Sequence, residues 1–134
     1  AIGDTNGLIM PAILDCQNKS LEEIAISSKD LITRSKNGSL RSEEYSGGTF
    51  SISNLGTFDI SNFIAIIQPP QSAILAVGKI IKKPIVHNDQ FKIADILTAT
   101  LSADHRIADG VDGAKLLTEI KRLLESPLLL LLNE

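Results

Sequence analysis

Segments with strand periodicity and segments with helical periodicity take turns along this chain, and their order limits its possible folds more than any other feature. Gly7 to Leu14 is a short apolar run between Asn6-Gly7 and Asp15 and reads as a buried strand. Pro11 cannot donate to a ladder, so that strand is expected at an edge or at a bulge. Ser20 and Glu23 have the spacing of a capping box, and Leu21, Ile24, Leu31, Ile32 and Ser35 then recur at helical intervals until Gly38. The spacing predicts a helix over Leu21 to Asn37. After a polar link ending in Gly47-Gly48, Thr49 to Ser53 alternates with period two. Phe50 and Ile52 are expected to enter the core, with Thr49, Ser51 and Ser53 on the other face. Pro69-Pro70 breaks the chain, and Ala73 to Ile81 resumes as an apolar strand. His87 to Gln90 reads as a hairpin turn, Phe91 to Ala103 as a long second arm, and a last helix is expected from Asp109 or Asp112 to Pro127. This order of elements describes an α/β fold, a mixed sheet with helices packed on one face.

The 134 residues, 43% of them hydrophobic, suit one domain with one core, spanning residues 1–134. A net charge of -3, no basic run longer than Lys82-Lys83 and a single Tyr argue against a nucleic-acid partner. The longest apolar run, Leu128 to Leu132, is far shorter than the roughly 20 residues of a membrane-spanning helix, so no membrane partner is expected. Cys16 is the only cysteine, which excludes an internal disulfide and a four-cysteine zinc site, and no metal ligand set is expected. No Gly-x-Gly-x-x-Gly follows a strand, so neither a phosphate loop nor a dinucleotide fingerprint is present.

Of the two histidines, His87 falls in the polar turn, whereas His105 ends the long apolar arm between Asp104 and Arg106. An imidazole at the end of a strand is held by a rigid backbone while it faces a cleft, and imidazole exchanges protons near neutral pH. Taken alone, the setting suits a hydrogen-bonded structural histidine better than a catalytic one.

Asp104-His105-Arg106-Ile107-Ala108-Asp109-Gly110 closely resembles the His-Arg-x-x-Asp-Gly signature of the dihydrolipoamide acyltransferases. Three further segments resemble the same family in its order and approximate spacing: Asn6 to Pro11, Gly48 to Gly56, and Ala65 to Gly78. A lone signature is weak, but four in order cover nearly the whole chain. Leu75-Ala76-Val77-Gly78 and Thr100-Leu101-Ser102 lean towards the pyruvate-type enzymes. The resemblance implies a fold shared with chloramphenicol acetyltransferase and an acetyl transfer between dihydrolipoyl-lysine and coenzyme A in a pyruvate dehydrogenase complex. Coenzyme A would be a substrate, and the lipoyl group would ride on a separate domain.

In that chemistry a thiol must lose its proton before it attacks a thioester. The resemblance makes His105 the base, Ser53 the hydroxyl that stabilises the oxyanion, and Asp109 a residue that orients the catalytic turn, caps the last helix, or does both. Arg106 is expected in a structural ion pair, and Gly110 is expected to permit a sharp passage from strand to helix. The family's site lies between subunits of a trimer, with the histidine from one chain and the serine from its neighbour. Its trimers build cubic or dodecahedral cores that hold lipoyl domains and other 2-oxo acid dehydrogenase subunits, in a bacterial cytoplasm or a mitochondrial matrix. Leu128 to Leu132 resembles the segment that docks between trimers, burial within the chain being the alternative. A complete family catalytic domain is longer, so the chain is expected to be its C-terminal part, truncated on the N-terminal side and impaired in binding coenzyme A. Two other functions fit the same residues: a noncatalytic core subunit, and a hydrolase using Ser53, His105 and Asp109 as a triad, for which no Gly-x-Ser-x-Gly elbow is present.

Overall fold

The structure, a computed structural model, describes residues 2–4 and 7–130, so Asn6, Leu131 and Leu132 of the segments above lie outside it. The elements are β1 (Ile2–Asp4), β2 (Gly7–Ile9), α1 (Leu21–Lys36), α2 (Ser42–Ser46), β3 (Phe50–Asn54), β4 (Ala73–Val77), β5 (Ile81–His87), β6 (Gln90–Ile96), β7 (Ala99–Ala103) and α3 (Gly110–Glu125). They fall into two compact units: the described residues up to Thr49 and from His105 onward, and Phe50–Asp104.

In the first unit, β1 and β2 pair antiparallel, with Ile2 opposite Ile9. The apolar run expected as one strand is paired only to Ile9, which lies opposite Ile2, the first residue of β1. The chain beyond it is held instead by Ala12, whose N–H donates to the Glu44 carbonyl at 2.8 Å. The helix α1 begins as its sequence dictates: the Glu23 N–H donates to Ser20 Oγ at 3.2 Å, and the Ser20 N–H donates to Glu23 Oε2 at 2.8 Å. Glu22 and Glu23 in the first turn and Arg34 and Lys36 in the last suit the helix dipole. Gly38 follows at φ +65°, a conformation that favours glycine at the exit.

The polar link after α1 contains α2, which its five residues gave no periodicity to reveal. Its anchor is Glu44, 2% exposed. Arg34 donates to the Glu44 carboxylate through both terminal nitrogens at 2.7 Å, and Arg41 adds its Nη2 at 2.9 Å, its Nε at 3.1 Å and its backbone N–H at 2.7 Å. Arg34, then Arg41, hold the Glu44 carboxyl far below the usual carboxylate range, and Glu44 in turn raises Arg34. A buried carboxylate is tolerable because so many donors face it.

The second unit is built on a mixed three-stranded sheet in the order β3-β4-β7, with β3 parallel and β7 antiparallel to β4. Its centre, β4, is apolar at every position, as a strand covered on both faces must be. Ala73, Ile74, Leu75 and Ala76 are between 1% and 7% exposed. A parallel pair needs a long crossover. Here residues 55–72 make it without an α-helix. The crossover is tied to the sheet through the Ser102 hydroxyl, which donates to the Ala65 carbonyl at 2.8 Å, and through the Ser51 hydroxyl, which donates to Gln71 Oε1. The Lys79 N–H holds it again at the Ile60 carbonyl, at 2.7 Å.

The faces of β3 are the reverse of the sequence expectation. Ser51 is buried and Ser53 half-buried, while Phe50 and Ile52 are 39% and 57% exposed. The register explains it: Ser51 is abreast of Ile74 and Ser102, and Ser53 of Ala76 and Thr100. The crossover lies on this hydroxyl-bearing face and bonds to it. Small hydroxylated side chains leave it room.

The apolar strand from Ala73 stops at Val77 rather than Ile81. At Gly78 an added Cβ would stand 2.0 Å from the Ser61 carbonyl oxygen, so the crossover itself occupies the space where β4 ends. Phe91 to Ala103 is likewise two strands and not one. The β6 part pairs antiparallel with β5 and the β7 part with β4. The hairpin turn lies where expected, with Asn88 and Asp89 at φ +52° and +57°, the left-handed values of a type I′ turn. Among the described residues, no helix is long and apolar enough to cross a membrane.

Candidate functional site

His105 stands two residues beyond β7, not at its end. The strand closes at Ala103, and the Asp104 N–H donates to the Ser72 carbonyl at 2.9 Å. His105 opens a turn over residues 105–107, and its side chain is exposed. The same turn delivers the chain to α3, whose start is set by Asp109 in extended conformation, φ -95° and ψ 178°. Asp109 Oδ1 accepts from the Val111 N–H at 2.8 Å and from the Asp112 N–H at 3.0 Å, and the Asp109 N–H donates to Asp112 Oδ2 at 3.2 Å. Two otherwise unpartnered helix donors are thereby satisfied. Of the two roles weighed for Asp109, capping is the one the hydrogen bonds carry.

Asp112, expected as another possible start of the helix, is instead the capping partner, and its three-residue spacing after Asp109 is the signal of that role. Gly110 differs from expectation. It is the first residue of α3, its φ is ordinary, and an added Cβ would meet nothing within 4 Å, so the turn does not require glycine there.

Ser53 lies in the second unit, on β3, half-buried on the hydroxyl-bearing face and one pleat from Ser51. The structure therefore places His105 and Asp109 on one turn and Ser53 in the other unit. Gln71, which fixes the neighbouring Ser51, was not singled out from the sequence. An amide after Pro69-Pro70 carries no local signal of what it will bond.

An exposed imidazole behind a capped helix start has the steadiness and access that a proton carrier needs. A half-buried serine hydroxyl on a sheet suits a fixed donor. Two cavities lie elsewhere in the first unit. One of about 570 Å³ is lined by Gln17, Ser20, Ile24 and Leu130 among others, and one of about 170 Å³ surrounds Arg34 and Glu44. Among the described residues no cluster of three or more His, Cys, Asp or Glu could hold a metal ion.

Known proteins similar to this chain agree on a family. A dihydrolipoyllysine-residue acetyltransferase component of the pyruvate dehydrogenase complex from Rickettsia felis is 47% identical over 132 residues, which cover 98% of this chain and 32% of that protein. Among solved structures, the dihydrolipoamide acetyltransferase of Azotobacter vinelandii superposes with a TM-score of 0.87 at 30% identity, covering 95% of this chain and 52% of that one. It comes from crystallographic and enzymatic work on a serine, a histidine and an asparagine in that enzyme's catalytic mechanism. The cubic core of a pyruvate dehydrogenase multienzyme complex superposes with a TM-score of 0.89 at 28% identity, covering 97% of this chain and 54% of that one. The chain thus spans about a third of the length of the curated relatives it matches. With the sequence model of the 2-oxoacid dehydrogenases acyltransferase (catalytic domain) matching residues 1–132, the chain belongs to that acyltransferase family.

Proposed function

We propose that this chain supplies the histidine and serine of an acetyltransferase site in a pyruvate dehydrogenase complex, moving an acetyl group between dihydrolipoyl-lysine and coenzyme A. The observation that carries this reading is a spacing. In the Azotobacter vinelandii enzyme the histidine follows the serine by 52 positions and precedes the asparagine by four. His105 follows Ser53 by 52 and precedes Asp109 by four. Aspartate in place of asparagine fits the geometry at 109, because both cap helices about equally well.

The reaction proceeds as follows in the direction of acetyl-coenzyme A. His105 Nε2 takes the proton of the coenzyme A thiol, and the thiolate attacks the carbonyl carbon of the acetyl-dihydrolipoyl thioester. Ser53 donates a hydrogen bond to the resulting oxyanion, worth on the order of 3 kcal/mol in the transition state. Collapse breaks the bond to the dihydrolipoyl sulfur, which leaves as a thiolate and receives the proton held by the imidazolium. Asp109 holds the turn that carries His105.

The protein whose fold matches at TM-score 0.89 forms a cubic core. By the same likeness, this chain is proposed to assemble as trimers within a larger core, with lipoyl groups arriving on separate domains and with His105 and Ser53 contributed by neighbouring subunits. Apolar side chains as exposed as Ile64 (81%), Ile66 (89%) and Phe91 (86%) support such burial between chains. A bacterial cytoplasm or mitochondrial matrix would be its compartment. The test is acetyl transfer from acetyl-coenzyme A to dihydrolipoamide by the assembled protein. His105→Ala is expected to lower kcat by about 10²- to 10⁴-fold with folding intact. An unchanged kcat would remove His105 from the chemistry, and no acetyl transfer by the parent itself would leave only the role of a noncatalytic core subunit.

A further inference from the structure

We propose that Gln71 positions Ser53 for this reaction, by tying the strand that carries Ser53 to the crossover that covers its face; the inference rests on the reading of Ser53 given above. Four hydroxylated residues share that face: Ser51 and Ser53 on β3, and Thr100 and Ser102 on β7, on either side of Ile74 and Ala76. The Ser51 and Ser102 hydroxyls both donate to the crossover, the first to Gln71 Oε1 and the second to the Ala65 carbonyl. Ser51 is 7% exposed, so its proton is committed and its oxygen is shielded. Ser53 is half-buried one pleat further on, which makes it the β3 hydroxyl able to meet a substrate oxygen.

An oxyanion donor works only within a few tenths of an ångström of its mark. Within the sheet described here β3 is an edge strand, bonded to β4 along one side. A strand held on one side shifts more easily than a central one, so a bond from its face to the crossover has leverage on its position. Gln71 is itself fixed, because its N–H closes a turn onto the Gln68 carbonyl at 3.0 Å. The Gln71 amide oxygen therefore meets Ser51 from a braced backbone, and Ser51 passes that restraint along β3 to Ser53.

The test is a double-mutant cycle on acetyl transfer in the assembled protein. Gln71→Leu removes the acceptor, Ser51→Ala removes the donor, and Gln71→Glu keeps an acceptor oxygen. Gln71→Leu and Ser51→Ala are each expected to lower kcat by about 10- to 100-fold with the KM for coenzyme A unchanged. In a Ser53→Ala background neither should cost anything more, and Gln71→Glu should restore most of the rate. Equal losses with and without Ser53, or a loss that follows KM alone, would overturn the inference and make Gln71 an ordinary structural residue. If one variant fails to fold, the other reports on the same bond from its opposite end. Full activity in Ser53→Ala would remove the role of Ser53 and this inference with it. Loss in Ser53→Ala beside full activity in both Gln71→Leu and Ser51→Ala would remove the inference alone.

Discussion

At the scale of single residues, Asp109 joins a cap that its hydrogen bonds show to the chemistry proposed for the turn before it. Its carboxylate closes the first turn of α3, four residues after the imidazole that the proposed reaction uses. Asp109→Ala should cost about 1 kcal/mol of stability, and a Tm lower by roughly 3 °C measures that loss. It should also slow acetyl transfer, because the turn holding His105 loses its anchor. Asp109→Asn should keep both properties, and a stable but inactive Asp109→Asn would show that the charge matters beyond the cap. His105, expected at the end of the strand, stands two residues beyond it, but the cap at Asp109 was legible in the sequence because it follows from local spacing. What Gln71 and Ser51 do to one another was not, since those residues are twenty positions apart and only the crossover brings them together.

Among the elements, the two long helices were more legible in the sequence than the strands or the short α2. The limits of α1 and α3 came from caps within a few residues of the helices they end. The faces of β3 were inverted because period two shows that two faces differ and not which of them the crossover will cover. Gly78 divided an apparently continuous apolar stretch for a tertiary reason, the approach of the Ser61 carbonyl.

Glu44 is a similar case, a charge in a polar link that proves to be buried between α1 and α2. Because its folded carboxyl lies far below the ordinary value of 4.5, the unfolded chain takes up this proton first as the pH falls. The stability it contributes is therefore present above about pH 4.5 and is lost as the pH drops further towards the folded value. Thermal unfolding between pH 6 and pH 3 should show Glu44→Gln several degrees less stable at pH 6 and less sensitive to acid than the parent. Parallel curves would show that this carboxylate contributes nothing to acid unfolding.

For the whole molecule, His105 and Asp109 belong to one unit of the chain and Ser53 to the other, and the proposed reaction takes His105 and Ser53 from neighbouring subunits. The exposed hairpin face of Pro84, Val86, Phe91 and Ile93 adds to the apolar surface that an assembly would cover. If neighbouring subunits share each site, two impaired variants can repair one another. His105→Ala and Ser53→Ala chains, each assembled alone, should keep about a hundredth or less of the parent's acetyl transfer, whereas trimers reassembled from an equal mixture should regain about a quarter of it, the fraction of interfaces that join an intact His105 to an intact Ser53. Activity no higher in the mixture than in either variant alone would contradict a site shared between subunits.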